Sequence, residues 1–166
     1  MSKQIADKLE ELKMRADQFD RYRKLLLDKL EPGVDYIITK FRVPNQRDAR
    51  GQDVYREIKI LTKAGAEKIA YIFGLRVLPE NETERELGDG HYEIIVKVKV
   101  FNDDGGLLGY GLGSANTREK RYQADPWGSR NVVVKMAKKR AYVSGVIDSL
   151  GLSALFTQDL DDETGS

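Results

Sequence analysis

Apolar side chains recur with helical spacing over the first part of the chain. They follow alternating steps of four and three residues, at Ile5, Leu9, Leu12, Ala16, Phe19, Leu26 and Leu30. This pattern predicts one long amphipathic helix over residues 2–31, ended by Pro32 and Gly33. The apolar seam is narrow, which is typical of a helix that packs on a single partner. The pattern leaves open whether that partner is the protein's own core or a neighbouring subunit.

Beyond residue 33 the apolar positions alternate, which predicts β-strands. The predicted strands cover residues 34–43, 54–61, 75–78, 91–102 and 107–121. The fourth is the clearest, because every second side chain from Tyr92 to Val100 is apolar and two lysines point the other way. Asp103 to Gly106 form a hairpin turn after it. A polar loop is expected over residues 44–53 and an acidic loop over residues 79–90.

Two more helices are predicted within this α+β region. Thr62 is a suitable N-cap for a short helix that runs to Phe73 and Gly74. A longer helix is expected over residues 131–151, with Asn131 as its N-cap and Gly151 just after its end. One of its faces is apolar, and the opposite face carries Lys135, Lys138, Lys139 and Tyr142. Arg140 falls near the middle of the apolar side, either reaching into a groove or buried and paired as a structural residue.

These elements predict an α+β fold. An antiparallel β-meander or hairpin sheet packs against the long C-terminal helix, with a short helix before the hairpin and the long helix at the N-terminus. The expected organisation is an N-terminal helix over residues 1–31, an α+β core over residues 32–156 and an acidic tail over residues 157–166. A chain of 166 residues suits one such core.

Composition excludes several classes of chemistry. The chain has no cysteine and a single histidine, His91, so it lacks thiol nucleophiles, disulfides and cysteine-based zinc sites. Its carboxylates stand in turns, loops and the tail rather than as a convincing catalytic pair. The expectation is a binding protein that is not an enzyme and uses no cofactor or metal. No apolar run approaches the roughly 20 residues of a membrane span, so a cytoplasmic protein without a membrane partner is expected.

The run Gly109, Gly111 and Gly113 suggests a nucleotide-binding loop, but its context argues against one. It lies inside a predicted strand, and the third glycine of the dinucleotide fingerprint would fall at Ser114. Glycines two apart on one strand face more often allow a helix or another backbone to approach closely.

Charge is segregated along the chain although the formal net charge is only +1. Residues 118–140 hold eight basic and two acidic side chains, while acidic residues concentrate in 80–89 and 159–163. Such segregation is what a polyanion-binding face on a nearly neutral protein looks like. The basic helix is therefore either an ordinary solvated surface helix or one wall of a groove, and the segregation favours the groove.

The basic strand face, the strand end at residues 118–121 and the basic helix are consecutive elements, so we expect them to converge on one groove. Lysine and arginine in a groove neutralise phosphates without reading sequence. Four aromatic residues nearby are able to stack on unpaired bases: Tyr110, Tyr122, Trp127 and Tyr142. Taken singly, core filling is the simpler interpretation for Trp127 and Tyr110.

The order of these motifs resembles the single-strand annealing domain of the Rad-fifty-two superfamily, from about Tyr55 to Gly151. The segment over residues 60–74, ILTKAGAEKIAYIFG, precedes a long hairpin, and a helix with Lys-Lys-Arg-Ala at residues 138–141 follows it. The resemblance implies rings or curved filaments that hold single-stranded DNA in a basic groove and anneal complementary strands in homologous recombination and DNA repair.

Several residues take a role from this resemblance. Lys139 and Arg140 match the Lys-Arg pair of the groove helix, Lys63 lies nearest the basic residue before the short helix, and Lys97 or Lys99 would track the DNA backbone. The chain departs from the family at residues 75–76, where Leu-Arg replaces an aromatic. With the charge pattern, the candidate DNA-binding residues are Lys63, Lys97, Lys99, Arg118, Lys120, Arg121, Lys135, Lys138, Lys139, Arg140 and Tyr142.

The expected partners are single-stranded DNA, further copies of the chain, and a recombinase or single-strand-binding protein, with duplex DNA left open. RNA is not separated from DNA, because phosphate and stacking contacts barely distinguish the two polymers. The alternative is a protein-interaction or assembly adaptor. In that case the N-terminal helix carries recognition and the protein has no nucleic-acid activity.

Overall fold

The structure is a computed structural model and describes residues 3–157. The chain divides into two compact units, one ending at Glu31 and one beginning at Pro32. The acidic residues expected in the tail, 159–163, lie outside the described part of the chain. Within residues 3–157, no helix is long and apolar enough to cross a membrane.

The first unit is a single helix, α1 (Lys3–Lys29), as the heptad-like spacing predicts. Leu26, near its end, is buried. Four earlier seam side chains are between 42% and 51% exposed, namely Ile5, Leu9, Leu12 and Phe19. Most of the apolar seam of α1 is therefore open to solvent in a single chain.

The second unit begins with a two-stranded antiparallel sheet, β1 (Tyr36–Arg47) and β2 (Asp53–Leu61). The polar loop is shorter than the predicted range of residues 44–53, because β1 continues to Arg47. The hairpin accommodates its polar residues through a register irregularity between Arg42 and Arg47. It also contains an ion pair, in which Arg42 Nε lies 2.9 Å from Asp53 Oδ2.

The short helix α2 (Lys63–Ile72) follows β2 directly. The hydroxyl of Thr62 accepts a hydrogen bond of 3.0 Å from the backbone N–H of Gly65, which confirms Thr62 as the N-cap. Ala66 and Ile69 are fully buried and anchor the inner face of the helix. The cap places Lys63 in the exposed first turn of α2.

A three-stranded antiparallel sheet, in the order β3-β4-β5, forms the centre of the unit. Its strands are β3 (Arg76–Gly88), β4 (His91–Phe101) and β5 (Leu107–Asn116), and helix α3 (Arg130–Ser149) packs on one face. Every second side chain of β4 from Tyr92 to Val100 is buried, as the alternation predicts. On the helix side, Val133, Ala137 and Ala141 are fully buried against this core. The predicted α+β fold is confirmed.

Close contact between α3 and β5 depends on the spaced glycines. A Cβ atom built on Gly111 would lie 2.2 Å from the carbonyl oxygen of Ala141, and one built on Gly113 would lie 2.2 Å from the Ala141 nitrogen. Any larger residue would push the helix off the strand. The glycines therefore serve helix packing, as their position inside a strand indicates.

Three predicted boundaries are wrong for local reasons. The expected acidic loop over 79–90 is mostly strand, because β3 continues to Gly88 in register with β4. The last strand ends at Asn116 rather than 121, since the Asn116 side chain accepts a hydrogen bond from the Arg118 backbone and turns the chain. Helix α3 begins at Arg130 after Ser129, so Asn131 is not its N-cap.

Candidate functional site

A cleft opens between α3, the first turn of α2 and the helix-facing side of β3 and β4. Its volume is about 390 Å³. The apolar part of its lining comes from Val77, Pro79, Val96 and Val98. Four lysines complete the lining, namely Lys63, Lys135, Lys138 and Lys139, together with Tyr142 and one carboxylate, Glu82. The cleft thus brings together five of the predicted site residues.

The helix supplies most of these side chains because of their spacing. Lys135, Lys138, Lys139 and Tyr142 are separated by steps that keep them on one helical face. Within the described chain, Lys135 and Lys139 make no ion pair. Lys138 does, with its Nζ 2.8 Å from Oε1 of Glu82 on β3. Two of the three helix lysines therefore keep their charge available for an external anion.

Tyr142 stands at the side of the cleft that α2 closes. The Nζ atom of Lys63 lies 5.4 Å from the centre of its ring, and Glu67 holds the same ammonium group at 2.5 Å. Burial raises the pKa of the Tyr142 hydroxyl, and the charge of Glu67 raises it further. Tyr142 is therefore a neutral, partly buried aromatic with a cation against its ring, which is an arrangement suited to stacking and hydrogen bonding.

The strand lysines lie elsewhere. Lys97 and Lys99 project from the face of the sheet that α3 does not cover, so their expected convergence with the basic helix is wrong. The odd residues of β4 alternate with the buried ones, and this alternation fixes them on the open face.

Both strand lysines are bound by a single carboxylate. Glu80 lies 2.9 Å from Lys97 and 2.8 Å from Lys99, and the hydrogen bonds from Lys99 and Lys97 lower the pKa of Glu80. The hydrogen bond that Lys99 donates to Glu80 likewise raises the pKa of Lys99. Lys97 also lies 4.4 Å from the centre of the Tyr110 ring.

Arg140 takes the structural role that the sequence left open. Its Nη1 donates to the carbonyl oxygen of Ser114 at 2.8 Å and to Oε1 of Glu119 at 2.7 Å, and its Nη2 reaches Oε2 of Glu119 at 3.2 Å. The two side chains are only 16% and 18% exposed. Arg140 therefore ties α3 to the segment after β5 and does not line the cleft.

Glu119 is ionised because of this pairing. Burial, the largest influence, favours a higher pKa for its carboxyl group. The hydrogen bonds from Arg140 and from the backbone N–H of Asn116, with the charges of Arg140 and Arg121, outweigh burial and lower the pKa below its ordinary value.

The remaining cations lie in the segment between β5 and α3, not in the cleft. The guanidinium of Arg118 donates to the carbonyl oxygen of Leu87 near the end of β3. Arg121 lies 3.4 Å from Glu119 and stacks at 5.1 Å on the buried Tyr122 ring. Lys120 is exposed.

Core filling is the wrong interpretation for two aromatics. Trp127 is 71% exposed and Tyr110 is 44% exposed. Of the four aromatic residues predicted to be able to stack on bases, Tyr122 is buried and Tyr142 lines the cleft.

The carboxylates that pair with the basic residues were not predicted from the sequence. Glu82 pairs with Lys138, and Glu84 pairs with Arg130 at 3.0 Å, so β3 and α3 are joined by two ion pairs. The signal was present in the sequence, because glutamates at alternate positions from 80 to 86 have the period of a strand.

Within residues 3–157, no group of three or more metal-ligating side chains is placed to hold a metal ion. No protein-family model matches this chain, and no curated protein or solved structure matches it. The resemblance to single-strand annealing domains therefore rests on the order of motifs in the sequence.

Proposed function

We propose that the protein binds single-stranded DNA in the α3 cleft and, without catalysing a reaction, promotes the pairing of complementary strands in recombination or repair. The observation that carries this proposal is the convergence of four lysines around Tyr142 and an apolar lining. A cleft of about 390 Å³ lies within the range of small-molecule pockets, about 300–1,000 Å³, so it has room for a base.

The cleft offers each part of a nucleotide a suitable surface. Lys135 and Lys139 supply ammonium groups for phosphate oxygens. Tyr142 with Val77 and Pro79 of β3 supplies an apolar surface for a base. None of these groups reads the edges of particular bases, so binding should show little sequence preference. Unpaired strands are favoured over duplex because stacking on Tyr142 requires a base that is free of its own stack.

An annealing assay tests the proposal. Two labelled complementary oligonucleotides are mixed with the protein in the absence of any nucleotide, and pairing is followed by energy transfer. We expect the protein to bind each strand and to accelerate pairing, and we expect substitution of Lys135 and Lys139 by alanine to weaken both effects. A protein that neither binds single strands nor accelerates their pairing contradicts the proposal.

The proposal includes self-association in the cytoplasm, since successive subunits would order many sites along one strand. The exposed apolar seam of α1 supports a contact between subunits. Native mass spectrometry with and without single-stranded DNA measures the assembly. A variant with Leu9→Glu and Leu12→Glu should lower the mass of the assembly, and an unchanged mass would rule out this seam as the contact. A recombinase or single-strand-binding protein would act as partner on the same DNA.

The same open seam favours a second candidate function, an assembly adaptor in which α1 binds another protein. Deleting residues 1–31 separates the two. If the shortened protein keeps its affinity for single strands, the cleft of the second unit is the binding site. If the full chain never binds nucleic acid and the deletion abolishes capture of a protein partner, the adaptor function replaces the first.

A further inference from the structure

We infer that Trp127 forms a second contact for single-stranded DNA, stacking on an unpaired base where the β3–β4 turn meets the start of α3. This inference rests on the proposed function, and it adds a site outside the cleft. A tryptophan with 71% of its surface exposed is unusual, because this side chain is highly buried on average.

The exposure of Trp127 does not come from a loose backbone. The carboxylate of Asp125 accepts a hydrogen bond of 2.9 Å from the N–H of Gly128 and closes a tight turn around the tryptophan. The backbone of Ser129 donates to Asp125 at 3.1 Å, and that of Arg130 donates to Trp127 at 3.3 Å. The indole is therefore carried by a hydrogen-bonded turn, which lowers the cost of ordering the backbone when a base stacks on it.

The edge of the indole ring lies close to a glycine, Gly90. Its Nε1 lies 3.1 Å from the position that a Cβ atom on Gly90 would occupy, so this approach depends on the missing side chain. Arg118 donates to the carbonyl oxygen of Leu87, near the end of β3, and Lys120 stands exposed two residues further along the chain. Trp127 and Lys120 thus lie on the same segment between β5 and α3, and an exposed aromatic combined with a cation is able to bind a base and its phosphate together.

A continuous seam connects this position to the cleft. Lys138 pairs with Glu82 at the cleft, and Arg130 pairs with Glu84 two strand residues further on. Lys138 and Arg130 are eight residues apart, about 12 Å along the helix. A strand that leaves the cleft along the β3–α3 seam reaches Arg130 and then Trp127. Lys138 and Arg130 are paired with glutamates along this seam. Lys120 is exposed and makes no ion pair within the described chain, so it is the cation that favours a nucleic acid over an apolar protein surface as the occupant.

The test uses Trp127 as its own reporter, because it is the only tryptophan in the chain. The full-length protein is titrated with oligothymidylate while tryptophan fluorescence and the anisotropy of the labelled oligonucleotide are recorded. We expect fluorescence quenching that follows the anisotropy. We expect Trp127→Ala to weaken affinity about tenfold without altering its dependence on salt, since stacking releases no counterions, and Trp127→Phe to restore part of the loss.

Tyr71→Ala is the matched control. Tyr71 is an aromatic side chain on α2 that is 89% exposed, and it lines neither the cleft nor the β3–β4 turn. Its replacement should leave affinity unchanged. Thermal unfolding of each variant verifies that the fold is intact.

The outcomes separate this inference from the proposed function. If the wild type binds oligothymidylate by anisotropy but shows no quenching, and folded Trp127→Ala binds equally well, the second contact is wrong and the cleft stands. Fluorescence that responds to protein concentration and not to DNA would assign Trp127 to a subunit contact and overturn the stacking role. If no binding is seen by anisotropy, the proposed function itself fails.

Discussion

The carboxylate of Glu82 forms an ion pair with one of the cleft lysines. It lies 2.8 Å from Lys138 and would compete with a phosphate for that ammonium group. Replacing Glu82 with Gln removes one negative charge from the cleft and frees Lys138. Because exposed ion pairs contribute about 0.2–1 kcal/mol, we expect single-stranded DNA to bind about two- to fivefold more tightly at low salt.

Glu86→Gln is the matched control for this measurement. Glu86 lies on the same strand and is exposed, but it does not line the cleft. Its replacement changes the net charge equally and should alter affinity less. Equal gains in the two variants would show that only bulk charge matters, and a loss of affinity in Glu82→Gln would contradict the proposed position of the DNA in the cleft.

Arg140 and Lys139 are neighbours in sequence with different expected roles. Arg140→Ala removes the arginine donor from the half-buried Glu119 and from the Ser114 carbonyl, so we expect the free energy of unfolding to fall by about 2 kcal/mol. Lys139→Ala removes an exposed side chain and should change it by less than about 0.5 kcal/mol. Urea denaturation measures both values. Equal losses would mean that the Arg140 pair does not stabilise the fold.

The Arg140–Glu119 pair also predicts a pH dependence. The pKa of Glu119 is lower in the folded protein than its ordinary value of 4.5, so the unfolded chain binds the proton more tightly. The stabilising contribution is therefore complete above about pH 4.5 and is lost as the pH falls through the folded pKa. Glu119→Gln should lose less stability than the wild type between pH 6 and pH 3. Parallel curves for the two proteins would contradict this assignment.

At the scale of elements, the contact between α3 and β5 determines where the cleft lysines stand. A Cβ atom on Gly111 would lie 2.2 Å from the Ala141 carbonyl oxygen. We expect Gly111→Ala to lower the free energy of unfolding by about 3 kcal/mol, since neither backbone can give way easily. Gly106→Ala is the control, because its nearest atoms belong to the flexible Asn102 side chain at 3.2 Å. A mild effect at Gly111 would show that the helix is free to shift.

Elements with one strong local signal could be predicted from the sequence. The alternation along β4 and the cap at Thr62 each identify an element without tertiary information. Only the start of β3, at residues 75–78, was predicted, because the glutamates that follow have low β-propensity. Its acidic half is strand only because β4 pairs with it, and because Lys138 and Arg130 on α3 neutralise Glu82 and Glu84.

At the scale of the whole molecule, the sequence predicted the composition of the site better than its geometry. The spacing along α3 placed Lys135 and Lys139 on one face, as in the structure. Whether Lys97 and Lys99 lie on the same side of the sheet as α3 depends on where α3 packs. The strand pattern alone does not give the position of α3. The pairing of Arg140 likewise required the position of Glu119 in three dimensions.

Salt dependence of binding to a labelled single strand tests the cleft most directly. For single strands, log K falls with log salt concentration by about 0.7 for each phosphate contact. Lys135→Ala with Lys139→Ala removes two such contacts without touching the Arg140 pair, and Lys24→Ala with Lys29→Ala on α1 removes the same charge elsewhere. We predict that the cleft variant binds more weakly and that its slope is shallower by about 1.4, while the α1 variant keeps the wild-type slope. An unchanged affinity and slope in a folded cleft variant would contradict the account.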